Sequence, residues 1–150
     1  SISSALAARL PEIEIGATVE ISTATFPDLK GVRTAIGGGP ALIHNSKPLN
    51  SWSNQDRHPR TAIGFNKDRI FVVEVDGRQS GLSIGVTLEE LAAHMKRIGC
   101  EEALNLDGGG SATMWLKGQV VNSPSEGRER GTAHSLVVIQ KNQSAAAVHH

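Results

Sequence analysis

One helix with a strand on each side constrains this chain more than any other feature. The segment "TLEELAAHMKRIG", residues 87–99, repeats apolar side chains at helical spacing: Leu88, Leu91, Ala92, Met95 and Ile98 fall on one stripe. Thr87 and Glu90 form the pattern of a capping box. Lys96 and Arg97 sit in the last turn, where cations suit the helix dipole, and Gly99 follows as the stop. Before the helix stands "IFVVEV", residues 70–75, an apolar and β-branched run of the kind covered on both faces of a sheet. After it stands "EALNL", residues 102–106. Strand, helix, strand is a crossover unit, right-handed if the strands run parallel. The expected class is α/β or α+β, with a mixed β-sheet, a βαβ crossover and flanking hairpins.

The hairpins come from two places. "TAIGF", "NKDR" and "IFVVEV" read as two strands around a polar turn, and "SATMWL", "KG" and "QVVN" as a second pair. "TAHSLVVIQ" reads as a final strand, "ATVEIS" as an early one, and residues 1–10 as a short entry helix. "NSKPLNSWSNQDRHPR" reads as a loop, longer than most, and length of that kind points to function. No domain boundary is legible: residues 1–140 are expected to form one domain, with "KNQSAAAVHH" as a linker-like or tag-like tail.

Charge excludes some partners. Fifteen basic residues balance fifteen acidic ones without a block of either sign, which argues against nucleic acid or an anionic membrane. No apolar run approaches the roughly 20 residues of a membrane span. Cys100 is the single cysteine and reads as a small buried side chain.

Chemistry concentrates where the two strands of the crossover end. Asp76 follows the first and Asp107 the second, each followed by glycine, and ligands of open sheets bind outside the carboxyl ends of strands. Adjacent strands would put the pair near the roughly 5–5.5 Å of a retaining glycosidase; an intervening strand would approach the roughly 6.5–9.5 Å of an inverting one. Gly108, Gly109 and Gly110 could offer successive backbone N–H groups as a nest for anionic oxygens, with Ser111 adding a hydroxyl. Arg60 and Arg78 could clamp a phosphate, or pair with Asp68 or Glu74 instead. His58 and His134 are candidate proton shuttles, and Trp52 and Trp115 are sugar-stacking or core residues. The histidines lack zinc-ligand spacing and the carboxylates are too dispersed for a hard cation, so no metal or cofactor is expected.

"HPRTAIG", "VDGR", "GVTLEELAAHMKRIG", "ALNLDGGGSATMW", "VVNSPSEGRER" and "HSLVVI" occur in the order seen in the phosphodiester glycosidase family, which residues 17–140 resemble. The resemblance implies hydrolysis of a sugar–phosphate diester at the anomeric carbon, releasing the sugar and leaving a phosphomonoester. It implies roles for Arg60, Thr61, Asp76, Asn105, Asp107, Gly108, Gly109, Gly110 and Ser111. Arg78, Asn122 and Arg130 match the commoner bacterial form; animal members resemble "ADGQ" where this chain has "VDGR". On this resemblance Asp107, Asp76 and Arg60 are the catalytic candidates and the rest bind substrate. An extracytoplasmic location is also implied.

The family usually carries a further N-terminal portion with an "N-G-G-F/Y-F"-like stretch, which this chain does not show. That opens two other readings: a non-catalytic module binding phosphorylated glycans or cell-wall polymers, or a fragment that folds only with its missing half. A sheet edge left open by the absence would invite a homo-oligomer.

Overall fold

The computed structural model describes Gly16, Thr18 and residues 28–50, 52–53, 56–133 and 135–139. The chain divides into two compact units, Ser1–Ala35 and Ile36–His150. The helix expected over residues 1–10 and the strand expected at "ATVEIS" belong to the first unit and lie outside the described residues, Thr18 excepted. His134 and the tail at residues 141–150 also lie outside them.

The second unit runs β1 (Ala41–His44), β2 (Lys47–Pro48), β3 (Arg60–Phe65), β4 (Ile70–Val75), α1 (Leu88–Arg97), β5 (Glu102–Asn105), a 3-10 turn (Gly109–Ser111), β6 (Trp115–Leu116) and β7 (Gln119–Val120). Five strands form one sheet in the order β2-β1-β5-β3-β4, and β6 and β7 form a separate hairpin. Every neighbouring pair is antiparallel. β4 and β5 therefore run in the same direction with β3 between them, and α1 carries the chain from one to the other. The fold is α+β, with the two expected hairpins and the crossover.

Local chemistry explains these elements. The β3–β4 register runs from Arg60↔Val75 to Phe65↔Ile70. Its turn closes because Asn66 Oδ1 accepts from the N–H groups of Asp68 (3.0 Å) and Arg69 (2.9 Å). At the N-terminus of α1 the capping box forms: Glu90 N donates to Thr87 Oγ1 (3.1 Å) and Thr87 N to Glu90 Oε2 (3.0 Å). Gly99, at φ +99°, ends the helix in the left-handed region that side chains avoid.

α1 covers one face of the sheet. Leu88, Leu91, Ala92 and Met95 pack with Leu42, Ile43, Ala62, Cys100 and Ala103 into the core. Burying a leucine such as Leu91 contributes about 1.5–3 kcal/mol. Gly64 lets the helix side of the core approach β3 closely, since a Cβ there would stand 2.7 Å from Cys100 Sγ and 2.8 Å from Met95 Cε. Ile98, expected on the stripe, is instead 42% exposed at the C-cap. Trp52 packs against the core, whereas Trp115 is exposed on the small hairpin.

Three expectations are corrected. "IFVVEV" is not covered on both faces: β4 lies at the sheet edge, and Ile70 and Val72 are exposed. The long loop is interrupted by β2, which pairs with β1 because Asn45 and Ser46 take positive φ in a two-residue turn. Residues 135–139 form no strand, and Val138 and Ile139 are exposed. No helix among the described residues is long and apolar enough to cross a membrane.

Candidate functional site

The start of β3, the end of β5 and the turn after β4 meet on one rim of the sheet. Val75 pairs with Arg60, and Leu106 N donates to Thr61 O (2.8 Å), so Arg60 opens the strand that separates Asp76 from Asp107. An open cleft of about 370 Å³ lies there, lined by His58, Arg60, Arg78, Asn105 and Asp107 and by Gly38, Gly39, Pro59, Leu106, Gly108 and Gly109. The Asp107 side chain is exposed and makes no hydrogen bond or ion pair with a described residue. Arg60 donates to the carbonyls of Val86 (3.3 Å) and Asp56 (3.0 Å). Burial and the nearby Arg78 cation lower its pKa, partly offset by Asp56. Arg78 hydrogen-bonds His58 Nδ1 (3.2 Å) and forms no ion pair with a described residue. Neither arginine is paired with Asp68 or Glu74, and both residues line the cleft together with Asp107.

Each position of the triple glycine has a close neighbour where a Cβ would stand, backbone at Gly108 and side-chain ends at Gly109 and Gly110. A Cβ at Gly108 would stand 2.6 Å from Pro59 O. Gly109, at φ +62°, donates its N–H to Pro59 O (2.9 Å) and lies under the Arg78 guanidinium, 3.2 Å from where a Cβ would be. Gly110 is buried, and a Cβ there would collide with the Glu126 carboxylate. The N–H groups of Ser111 and Ala112 close back on Gly108 O (3.1 Å) and Gly109 O (3.2 Å). This corrects the expected nest: Gly109 N–H is bonded to Pro59 O and Ser111 N–H to Gly108 O, so the run does not present successive free N–H groups.

Asn105 is buried at the cleft floor, with 6% of its surface exposed. Its Nδ2 donates to Gly39 O (2.8 Å) and Leu106 O (2.9 Å), while its Oδ1 has no partner among the described residues. Gly38 and Gly39, from a second run of three glycines at residues 37–39, line the cleft beside it: a Cβ at Gly38 would stand 2.5 Å from Asn105 O.

Asp76 shares the rim but does not line the cleft. Its Oδ1 accepts from Asn122 Nδ2 (3.1 Å) and Ser123 N (2.9 Å), while Asn122 Oδ1 accepts from Met114 N (2.8 Å). Gln79 and Ser123 add two bonds, Ser123 Oγ to Gln79 Oε1 and Gln79 Nε2 to Ser123 O, each 2.7 Å. With β3 between β4 and β5, the strand axes ending in Asp76 and Asp107 are roughly 10 Å apart. Ser111, Arg130 and Glu126 form another group outside the cleft: Arg130 donates to Ser111 Oγ and lies 3.8 Å from Glu126. Among the described residues no three His, Cys, Asp or Glu side chains are placed to hold a metal.

Thr61 also lies outside the cleft and donates to Glu74 Oε2 (2.8 Å). Burial, with a smaller contribution from Asp76, pushes the Glu74 carboxyl up to about 7, and its buried Oε1 has no partner among the described residues. An acid raised in the folded state stabilises while it holds its proton. Its contribution is complete below the unfolded value of 4.5 and is lost as pH rises through about 7. Glu74→Gln keeps the acceptor for Thr61 and removes the charge, so it is expected to raise Tm at pH 8 and leave it nearly unchanged at pH 5. Thermal melts at both pH values check this; an equal shift at each would contradict it.

The sequence profile of the phosphodiester glycosidase family matches residues 4–139. The chain is 35% identical over 115 residues to the SPbeta prophage-derived uncharacterized protein YomE of Bacillus subtilis, covering 73% of this chain and 18% of that protein. It is 38% identical over 109 residues to the Bos taurus N-acetylglucosamine-1-phosphodiester α-N-acetylglucosaminidase, covering 65% of this chain and 20% of that enzyme. The chain thus spans about a fifth of the length of the curated relatives it matches. Among solved structures, the catalytic domain of the zebrafish N-acetylglucosamine-1-phosphodiester α-N-acetylglucosaminidase, auto-inhibited by pro-peptide, superposes with a TM-score of 0.52 at 27% identity, over 60% of this chain and 34% of that one. The motifs, the rim that gathers them and a profile running through nearly the whole sequence agree, and the chain belongs to the phosphodiester glycosidase family.

Proposed function

We propose that the protein is a glycoside hydrolase that cleaves a sugar-1-phosphodiester, releasing the sugar and leaving a phosphomonoester on the other partner. One observation carries the reading: Arg60 and Arg78 border the same open cleft as the exposed carboxylate of Asp107. A cation pair that raises the cost of its own charge is relieved by an anion, and a carboxylate beside it serves a reacting carbon. Asp107 acts at the anomeric carbon, as nucleophile or as base to water. The C1–O bond breaks, its electron pair leaves on the phosphate oxygen, and water supplies hydroxyl to C1 while its other proton passes to the departing phosphate or to solvent. Arg60 and Arg78 stabilise the departing phosphate, where negative charge grows most. Asn105 fixes the cleft floor through its bonds to Gly39 O and Leu106 O, and Gly108 and Gly109 let the chain at the cleft pack closely against Pro59 and Arg78. Asp76 serves the reaction by holding Asn122 and Ser123, as Thr61 serves by its bond to Glu74 and Ser111 by its bond from Arg130 beside Gly110. The bovine relative is named for a reaction of this class.

Phosphorus NMR of the protein with a sugar-1-phosphodiester tests the proposal. The diester resonance should be replaced by that of a phosphomonoester as free sugar accumulates. Because the chain spans only about a fifth of its relatives, a binding module for phosphorylated glycans is the competing reading. Saturable binding with no release of sugar would establish that module instead, and neither binding nor release would remove the site.

A further inference from the structure

We infer that His58 is a positioning residue that holds the Arg78 guanidinium over Gly109, which sets where the cleft receives an anion. The inference rests on the proposed function for what Arg78 serves, but not for how Arg78 is held. Arg78 is an exposed residue at φ +57°, a backbone conformation that a side chain of this kind seldom takes. Its bond to His58 is the one hydrogen bond its guanidinium makes with a described residue. A long, exposed side chain with a single tether is ordered by that tether.

His58 is suited to the task because its own backbone is clamped. Its N–H donates to Val86 O (3.3 Å), and its carbonyl accepts from Val86 N (3.1 Å). Gly85 presses its bare Cα against the same peptide, since a Cβ there would stand 2.9 Å from His58 N. Arg57 anchors the segment from the other side, pairing with Glu90 and donating to Gly85 O (3.1 Å). With Nδ1 accepting from Arg78, the ring is neutral and carries its hydrogen on Nε2. His58 therefore adds no third cation to the cleft and leaves Arg78's charge available to a ligand.

The test separates holding Arg78 from touching substrate. In an asparagine at position 58, Oδ1 stands close to where Nδ1 stood, but nothing replaces Nε2. His58→Asn should therefore keep the tether, and His58→Ala should lose it. The direct readout is the rate at which phenylglyoxal modifies Arg78, followed by mass spectrometry, which needs no turnover. It should rise several-fold in His58→Ala and return to the wild-type rate in His58→Asn. In the functional readout, His58→Ala should raise KM for the sugar-1-phosphodiester and Kd for inorganic phosphate about tenfold, the usual scale for a hydrogen bond to a charged group. In an Arg78→Ala background, His58→Ala should change neither constant further. An unchanged labelling rate, an asparagine variant as impaired as the alanine one, or additive effects with Arg78→Ala would overturn the inference. Should the wild-type protein neither turn over the diester nor bind phosphate, the proposed function fails, and the labelling rates still decide the role of His58.

Discussion

Asp107→Asn is expected to lower kcat on a sugar-1-phosphodiester by about 10³-fold or more, the scale seen when a reacting carboxylate or its partner is removed. Tm should stay within a few degrees. The two effects separate because of where Asp107 stands. It is exposed, and it makes no hydrogen bond with a described residue, so the fold does not depend on its charge. Substitutions at such positions usually change stability by less than about 0.5 kcal/mol. A second consequence has the opposite sign. The carboxylate shares its cleft with Arg60 and Arg78, and it repels a bound phosphate that these arginines attract. Removing its charge should therefore tighten the binding of inorganic phosphate while turnover collapses. Steady-state kinetics with phosphate titration by calorimetry checks both effects. Turnover retained to within tenfold would leave Asp107 without the role proposed for it.

The helix and the strands around it are legible in the sequence because their signals are local. The capping box, the apolar stripe and Gly99 lie within one stretch of chain, and α1 forms where they place it. The β3–β4 turn is legible for a similar reason, since Asn66 supplies the acceptor for its own turn. The place of β3 between β4 and β5 is not legible, although β3 itself is, because a pairing between residues 60–65 and 102–105 leaves no mark on either segment alone. That one strand decides how far apart the chains bearing Asp76 and Asp107 lie. The triple glycine is legible as a place where the backbone is crowded, but not as to what crowds it. Pro59, Arg78 and Glu126 come from three distant parts of the sequence. In the same way, Asp76, Asn122 and Thr61 read as members of one site, and the bonds they make, Asn122 to Asp76 and Thr61 to Glu74, join residues far apart in the chain. His58 reads from the sequence only as a candidate proton shuttle, and its contact with Arg78 requires the fold.

Gly85→Ala is expected to destabilise the protein by about 3 kcal/mol, combining roughly 1–2 kcal/mol for a side chain in the left-handed region with a similar cost of overpacking. In a domain of this size that corresponds to a fall in Tm of about 10 °C. Gly85 has φ +88°, and a Cβ there would stand 2.5 Å from the carbonyl carbon of His58 and 2.9 Å from its nitrogen. Backbone atoms cannot rotate aside as a flexible side chain can. Gly77 is packed against the same place, since its Cβ would stand 2.7 Å from Pro59 N and 2.8 Å from Gly85 Cα. Three stretches of chain, at residues 58–59, 77 and 85, therefore touch main chain to main chain directly behind the cleft. Separating them would also break the His58–Val86 bridge and the Arg60–Val86 bond that hold the cationic wall. Gly81→Ala is the control: it has nearly the same φ, +85°, but nothing lies within 4 Å of the position its Cβ would take. It should bear the conformational cost alone, roughly 1–2 kcal/mol, and keep its activity. Melting curves of the two variants isolate the contact from the dihedral, because the same backbone strain is present in both. If Gly85→Ala melted no lower than Gly81→Ala, the close approach behind His58 would not be what orders this wall of the cleft.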